Sequence, residues 1–429
     1  MELRQGKRLS DYSVLFYLLA FALLLRLSIG LFVTNKYDTY WYRQWILDFQ
    51  NGFFSIYSRA DAIALDYPPL FLVLVYPISL LYKIVPPNAY EMADMLFLKL
   101  IPILFDIACA FGFFLFGKKE KREEAGFAAA LLWALNPSMI FNSSVWGQTD
   151  SVMCFLLLVS FWLLYRRQGI LGSVLFAAAC MVKFQCLFFA PVFCLGILYI
   201  CFSEAKERKQ IALGFIALGK CALAAIATIV LVFLPFSIAG GEPFLFPTIY
   251  FESGGKYPYC TLNAFNFFGL LGLNWVKYSA PAIFGLSFAA IGYILTFLGI
   301  ILLAVAWFIS SRKCVFVASL FIMQHIFMFM PAMHERYQVA VLPFCLAAWL
   351  VHRRGGFGAL FAALSGMTLI NQFIVLANAI KSNRLPWAAN FDQVMAFFSL
   401  INLLLYIISA ILCFRFLLGS QEEQQEKEA

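Results

Sequence analysis

Charge is scarce in this chain, and histidine is scarcer. Only 13% of its 429 residues are charged and three are histidine, against 63% hydrophobic. A water-soluble fold cannot hide that much apolar surface behind so little charge. His325, His334 and His352 leave a His-based metal site without support. Ten of the eleven cysteines fall in apolar runs, with Cys260 alone expected outside the membrane. No CxxC spacing occurs, which argues against a disulfide framework and against a zinc or redox motif. Internal repeats, low-complexity tracts and an appended soluble domain are also missing.

What the chain does have is a succession of long apolar runs, each matched to a bilayer core of roughly 30 Å. The net charge of +8 gathers in short clusters between those runs, as at Lys118, Lys119, Lys121 and Arg122, at Arg166 and Arg167, at Lys206, Arg208 and Lys209, at Arg312 and Lys313, and at Arg353 and Arg354. That is the positive-inside pattern of a multi-pass membrane protein and not a nucleic-acid footprint. The N-terminal basic stretch lacks a small-residue cleavage site and reads as an uncleaved first span.

These markers predict an all-α polytopic protein forming a single integral membrane domain, residues 1–429. Spans are expected near 11–34, 95–117, 125–144, 149–165, 169–183, 184–202, 211–238, 281–309, 314–332, 337–352, 357–378 and 392–417, with both termini inside. Residues 1–202 would form the catalytic part with an outer loop over 35–94. Residues 203–429 would carry a second outer loop over 239–280. The segment 67–85 is long enough to cross. A simple crossing would put the cluster at 118–124 outside, so it is expected to be a re-entrant or interfacial helix on the outer face.

The outer face then collects the chemistry. Asp38 sits among Tyr37, Tyr40, Trp41, Tyr42 and Trp45, a setting that serves as an interfacial belt or as a sugar-stacking wall around a general base for a hydroxyl. Asp48 and Asp66 are rivals for that role. Asp66 and Tyr67 precede two prolines that signal a helix start. The turn Trp146–Asp150 puts Trp146, Gln148 and Asp150 between two spans, with Gly147 permitting close backbone approach. Lys183 and Gln185 interrupt an apolar stretch, and a lysine at membrane depth is a functional-site hypothesis with phosphate as its natural partner. His334, Glu335 and Arg336 stand between two apolar runs, where arginine offers a planar fork suited to phosphate oxygens. They do not form a zincin motif, because Gln338 occupies the second histidine position. Asp106, in mid-span, either makes a polar contact between helices or lines a cavity.

Taken in order, the first-loop acid, D-Y-P-P, N-P…W-G-Q-x-D, K-x-Q and H-E-R resemble the GT-C fold glycosyltransferases. The resemblance is closest to prokaryotic mannosyltransferases related to the second GPI mannosyltransferase, and more distant to the dolichyl-phosphate-glucose glucosyltransferases of N-glycan assembly. It runs over about residues 10–345. The lysine motif departs from those relatives, reading K-F-Q where they usually have a central proline.

The resemblance implies 12–13 transmembrane helices and an inverting hexosyltransferase that uses a polyprenyl- or dolichyl-phosphate sugar, mannose or glucose first. The acceptor would be a glycan or glycolipid on the outer or lumenal face. Asp38 matches the catalytic acid, and Lys183, His334 and Arg336 the donor-phosphate ligands. Asp66, Tyr67, Trp146, Gln148, Asp150, Gln185 and Glu335 fall to the sugar and acceptor. No cofactor is expected, and the ligand spacing does not support a divalent cation. A phosphate leaving group needs cationic stabilisation and not a strong acid, so one carboxylate and a basic cluster suffice. Compact length and the lack of an ER-retention signal point to a prokaryotic plasma membrane. The alternative is a transporter or flippase of a lipid-linked sugar, which would line a path through the membrane with polar residues.

Overall fold

A computed structural model describes residues 2–33, 37–86, 91–207, 209–353, 355–381 and 390–419. Arg208, Arg354 and residues 420–429 lie outside the described residues. The chain is built from helices α1 (Glu2–Phe32), α2 (Tyr37–Asp48), α3 (Pro69–Ile84), α4 (Glu91–Lys119), α5 (Glu123–Ala134), α6 (Pro137–Ile140), α7 (Asp150–Tyr165), α8 (Gly169–Cys180) and α9 (Ala190–Glu207). It continues through α10 (Ile211–Gly240), α11 (Leu245–Gly255), α12 (Phe267–Leu270), α13 (Phe288–Ile309), α14 (Val315–Phe329), α15 (Leu342–His352), α16 (Gly355–Lys381) and α17 (Phe391–Leu418). The described strands are β1 (Thr261–Leu262) and β2 (Met333–His334), a short parallel pair.

Among the described residues, seven helices are long and apolar enough to cross a membrane. An eighth candidate is α5 with the segment Pro137–Trp146, bent by 43° where Asn136 and Pro137 interrupt the helix. Five shorter apolar helices complete the set. Each expected span corresponds to one of these elements, and 67–85 corresponds to α3. The fold is thus all-α and polytopic. Two boundaries differ from expectation. The run 281–309 becomes helical only at Phe288, and the helix beginning at 169 stops at Cys180.

The middle of the bundle is α14, whose residues from Val315 to Met328 are all buried. A helix apolar all round belongs at a centre. By contrast α10, α13 and α17 keep large apolar side chains exposed along their lengths, as expected of faces turned to lipid. Close helix contact relies on small residues. A Cβ on Gly117 of α4 would stand 2.3 Å from the Cα of Gly126 of α5, so these two helices meet backbone to backbone.

Asp106 of α4 resolves as a contact between helices. It accepts from Arg26 Nε of α1 at 2.8 Å, from Trp133 Nε1 at 3.0 Å and from Ser143 Oγ at 3.0 Å. Both members of the ion pair are fully buried. Cys260, expected outside the membrane, lies in the loop between α11 and α12 and is fully buried there, and among the described residues only Cys194 is exposed.

Helix α3 leaves α2 and returns to it. At its start, Tyr67 and Phe71 pack on Tyr42 and Trp45 of α2. At its end, Tyr82 bonds Asp94 at the head of α4, and Asp94 pairs with Arg43 of α2 at 3.0 Å. Sixteen residues reach only about 24 Å along a helix, short of a bilayer core.

Candidate active site

The polar residues singled out in the sequence converge where α2, the entry to α3, the α8–α9 junction and the segment before α15 meet. An open cavity of about 300 Å³ lies there. Asp38, Trp41, Asp66, Tyr67, Lys183, Gln185, His334 and Arg336 are among its lining residues.

Asp38 stands in the first turn of α2, where the helix dipole favours a carboxylate. Its Oδ2 accepts from Trp146 Nε1 at 2.6 Å and also from Gln148 Nε2. Its Oδ1 carries no hydrogen bond from a described residue. The donors reach it because the chain forms a wide π-helical turn over Phe141–Trp146 that ends on Gly147 at φ 82°. A Cβ at Gly147 would lie 2.8 Å from Thr39 Cγ2, so only glycine lets this turn seat against the start of α2. Gln148 is fully buried, Trp146 nearly so, and neither is on the cavity wall. Trp146 and Gln148, expected at the sugar, thus stand behind Asp38 and hold its carboxylate.

Asp150 is likewise withdrawn. It is buried, pairs with Lys183, and accepts from Asn142 Nδ2 at 2.9 Å. Lys183 was expected to offer an unpaired ammonium; its charge is instead shared with Asp150 while it still lines the cavity. Burial works against that ammonium, but the field and hydrogen bond of Asp150 and the field of Tyr67 together outweigh it and raise its pKa. Asn142 carries a sequon, yet its amide is fully buried and spent on Asp150 and on Gln372 Oε1 at 2.9 Å, so it is no glycan acceptor in this fold.

His334, Glu335 and Arg336 differ in orientation. Arg336 lines the cavity and donates from Nη1 to Glu335 Oε1 at 2.8 Å, while its buried Nε has no hydrogen-bond partner. Burial opposes its charge, but Asp38 and Glu335 more than restore it. Glu335 is buried behind the arginine and is not on the wall, and burial raises its pKa above the usual carboxylate value. Burial, and then the charges of Arg336 and Lys183, hold the His334 pKa well below the usual histidine value. With its pKa held down in this way, His334 is neutral at pH 7 in the free protein and can offer an anion an N–H donor.

The rivals to Asp38 also separate. Asp48 is bound to Arg59 Nη2 at 2.7 Å and to Asn51 at 2.7 Å, away from the cavity. Asp66 lines the cavity and pairs with Lys256 at 2.7 Å. Lys256 and Tyr257 arrive from the second outer loop, which β1 and β2 fasten to the His334 segment through the pairs Thr261–Met333 and Leu262–His334. That loop is in turn held from below, as Asn402 Nδ2 donates to Phe265 O at 2.7 Å and Asn371 Nδ2 to Asn263 O at 2.8 Å.

Of the expected aromatic wall, Trp41, Tyr42 and Trp45 all line the cavity, together with Tyr67. Tyr40 and Trp41 are exposed. Tyr42 and Trp45 are buried against Tyr67 and Phe71. The Tyr42 hydroxyl meets that of Tyr67 at 2.9 Å, and burial, then Tyr67 and Asp38, raise its pKa so that it stays a phenol. The side chain of Tyr37 lies outside what the structure describes. From Phe184 on the cavity wall, ring contacts to Tyr250 and Phe246 lead to an apolar hollow of about 740 Å³ along α10. Among the described residues no group of three or more His, Cys, Asp or Glu side chains could hold a metal ion.

An all-α polytopic bundle with a carboxylate and cations lining one cavity is consistent with a membrane protein of the GT-C type. Residues 40–245, just under half of the chain, match the model of the ALG6, ALG8 glycosyltransferase family. The match supports a membrane glycosyltransferase acting on lipid-linked sugars. It takes in Asp66, Tyr67, the Trp146–Asp150 turn, Lys183 and Gln185, and it stops short of Asp38 and of His334–Arg336. No curated protein matches the chain.

Proposed function

We propose that this protein moves a hexose, mannose or glucose, from a polyprenyl or dolichyl phosphate to a glycan or glycolipid acceptor, with inversion at the anomeric carbon. The acceptor oxygen attacks that carbon and forms the new glycosidic bond. Its proton passes to Asp38, and the bond from the anomeric carbon to the phosphate oxygen breaks with both electrons staying on the lipid phosphate. Arg336 stabilises the charge that develops there, Lys183 adds its shared charge, and His334 contributes a neutral N–H. Asp66, Tyr67, Gln185 and Trp41 hold the sugar and the acceptor. Trp146 and Gln148 aim the base, Asp150 sets Lys183, and Glu335 sets Arg336.

One observation carries this reading. Asp38, one of whose oxygens takes no hydrogen bond from a described residue, and Arg336, whose Nε has no partner among the described residues, line the same cavity. That is the arrangement an in-line displacement of a phosphate requires. The apolar hollow along α10 gives a lipid-borne donor somewhere to lay its chain. The return of α3 to α2 supports the re-entrant reading, which keeps the later basic loops on one side with both termini and the cavity on the outer or lumenal side.

The test follows release of polyprenyl phosphate from polyprenyl-phosphate mannose, glucose and galactose by purified protein given membrane glycolipid. Wild type should release it from one donor and Asp38→Asn should not. Equal release by both would move the base to Asp66. Tight binding of a donor with no release would replace transfer by carriage of the lipid-linked sugar.

A further inference from the structure

The apolar run that contains α13 is longer than the helix. No charged residue occurs from Tyr278 to Ser311, whereas the helix covers only Phe288–Ile309. Its 22 residues extend about 33 Å, already the thickness of a bilayer core. Tyr293, Phe297, Ile301 and Phe308 are exposed along it, so this face meets lipid and Phe288 stands at the membrane edge on the cavity side.

The residues before Phe288 form a hairpin where the sequence predicts the start of the span. Pro281 and Ser287 bridge across it, Ala282 N donates to Leu286 O at 2.8 Å, and Leu286 N donates to Ile283 O at 2.9 Å. It is stapled to the helix head, where Phe288 N donates to Ala280 O at 3.2 Å and Ala289 N to Tyr278 O at 2.8 Å. The turn has Phe284 at φ 52° and Gly285 at φ 73°, the two positive angles of a type I′ turn. Asparagine or glycine suits the first of those positions, and a bulky aromatic residue rarely adopts it. Phe284 is 97% exposed and Ile283 59%, so packing within the chain does not account for either side chain. A strained backbone that turns an aromatic ring outward points to a contact outside the chain.

We propose that hairpin 281–287 is a lipid anchor, with Ile283 and Phe284 seated in the headgroup–acyl boundary of the leaflet on the cavity side. Continuity with the lipid-facing side of α13 and the lack of charge select lipid as the occupant. Non-helical backbone cannot enter the hydrocarbon, where its N–H and C=O groups find no water, so only the two side chains go in. Trp275, half exposed nearby in the chain, suits the same interface. The anchor sets the level of the second outer loop, because Tyr278 N donates to Pro258 O at 3.0 Å, one residue from Tyr257 on the cavity wall. It rests on no step of the transfer reaction.

The test places a nitroxide spin label at the tip of the full chain in phosphatidylcholine vesicles. Cys194, the exposed cysteine, is first replaced by serine. Phe284→Cys and Ile283→Cys are then labelled separately, so that misfolding of one variant leaves the other. Collision with dissolved oxygen should exceed collision with a water-soluble nickel chelate at both positions, at a depth of about 5–10 Å into the boundary. The reverse order at either position would put the tip in water and overturn the anchor. Line broadening that disappears on dilution with unlabelled protein would show a second copy covering the tip and overturn the lipid assignment.

Discussion

Asp38 and Asp106 are both held by a tryptophan indole, yet they belong to different kinds of site. Asp106 is fully buried and takes three donors, one of them the arginine that neutralises it. Asp38 is partly exposed, and both of its donors are neutral and crowd onto a single oxygen. The first carboxylate has nothing left to give and ties α1, α4 and α5 together. The second is aimed but not saturated, and it faces a cation across a cavity instead of touching one. Saturation, more than depth, separates the two carboxylates.

The comparison breaks most decisively at the aspartates themselves. Asp38→Asn should cut hexose transfer by about 10²–10⁴-fold, the range for losing a general base, with little change in melting temperature. Asp106→Ala should leave Arg26 buried without its counter-charge, at about 3–5 kcal/mol of stability. That loss is read as a lower melting temperature in detergent, while the rate per folded molecule stays near wild type. A slow but stable Asp106 variant would erase the distinction.

Arg336→Gln should slow transfer by about 10²–10³-fold, comparable to losing one donor of an oxyanion hole. Arg336→Lys should recover only part of it, since an ammonium cannot reproduce the planar fork. The indoles give a matched pair of smaller effects. Trp146→Phe removes one hydrogen bond to a charged group, about 1.5–3 kcal/mol, and should appear mainly in the rate. Trp133→Phe removes the equivalent bond at Asp106 and should appear in the melting temperature.

The smallest effect is in the pH dependence. An unfolded chain takes up a proton on histidine near pH 6.5, whereas native His334 refuses it to well below that pH. The unfolded state then binds more protons across that window, so the stability contributed above pH 6.5 is lost as the pH falls through it. His334→Gln should flatten this acid limb of a melting-temperature profile. An unchanged limb would mean that His334 is not the group responsible.

Lys183 shows where sequence reasoning stops. Its position in an apolar stretch was enough to mark it, and Asp150 was marked independently. Their pairing across 33 residues was not legible, so an ammonium expected to await phosphate alone proves to be shared. Tyr257 was missed as a wall residue, and Lys256 could only be guessed at as an acceptor contact, because the only local signal was a charge in a long loop. Asn371 and Asn402, which hold that loop down, were unmarked residues in apolar helices. A polar side chain within such a helix was the signal that could have found them.

By itself the sequence determined the class of this protein, its thirteen apolar segments, and most of the residues that meet at the cavity. Those features are local, since hydropathy over a span, prolines at a helix start and charge between spans each act within one or two turns. Only the tertiary structure decided which of those residues face the cavity and which stand behind it. Trp146 and Gln148 reach Asp38 across 108 and 110 positions of chain, and Arg336 arrives from nearly 300 residues away. Buried polar groups in a membrane bundle must find partners wherever packing brings them, and that choice is made by the whole arrangement of helices and not by any stretch of the chain.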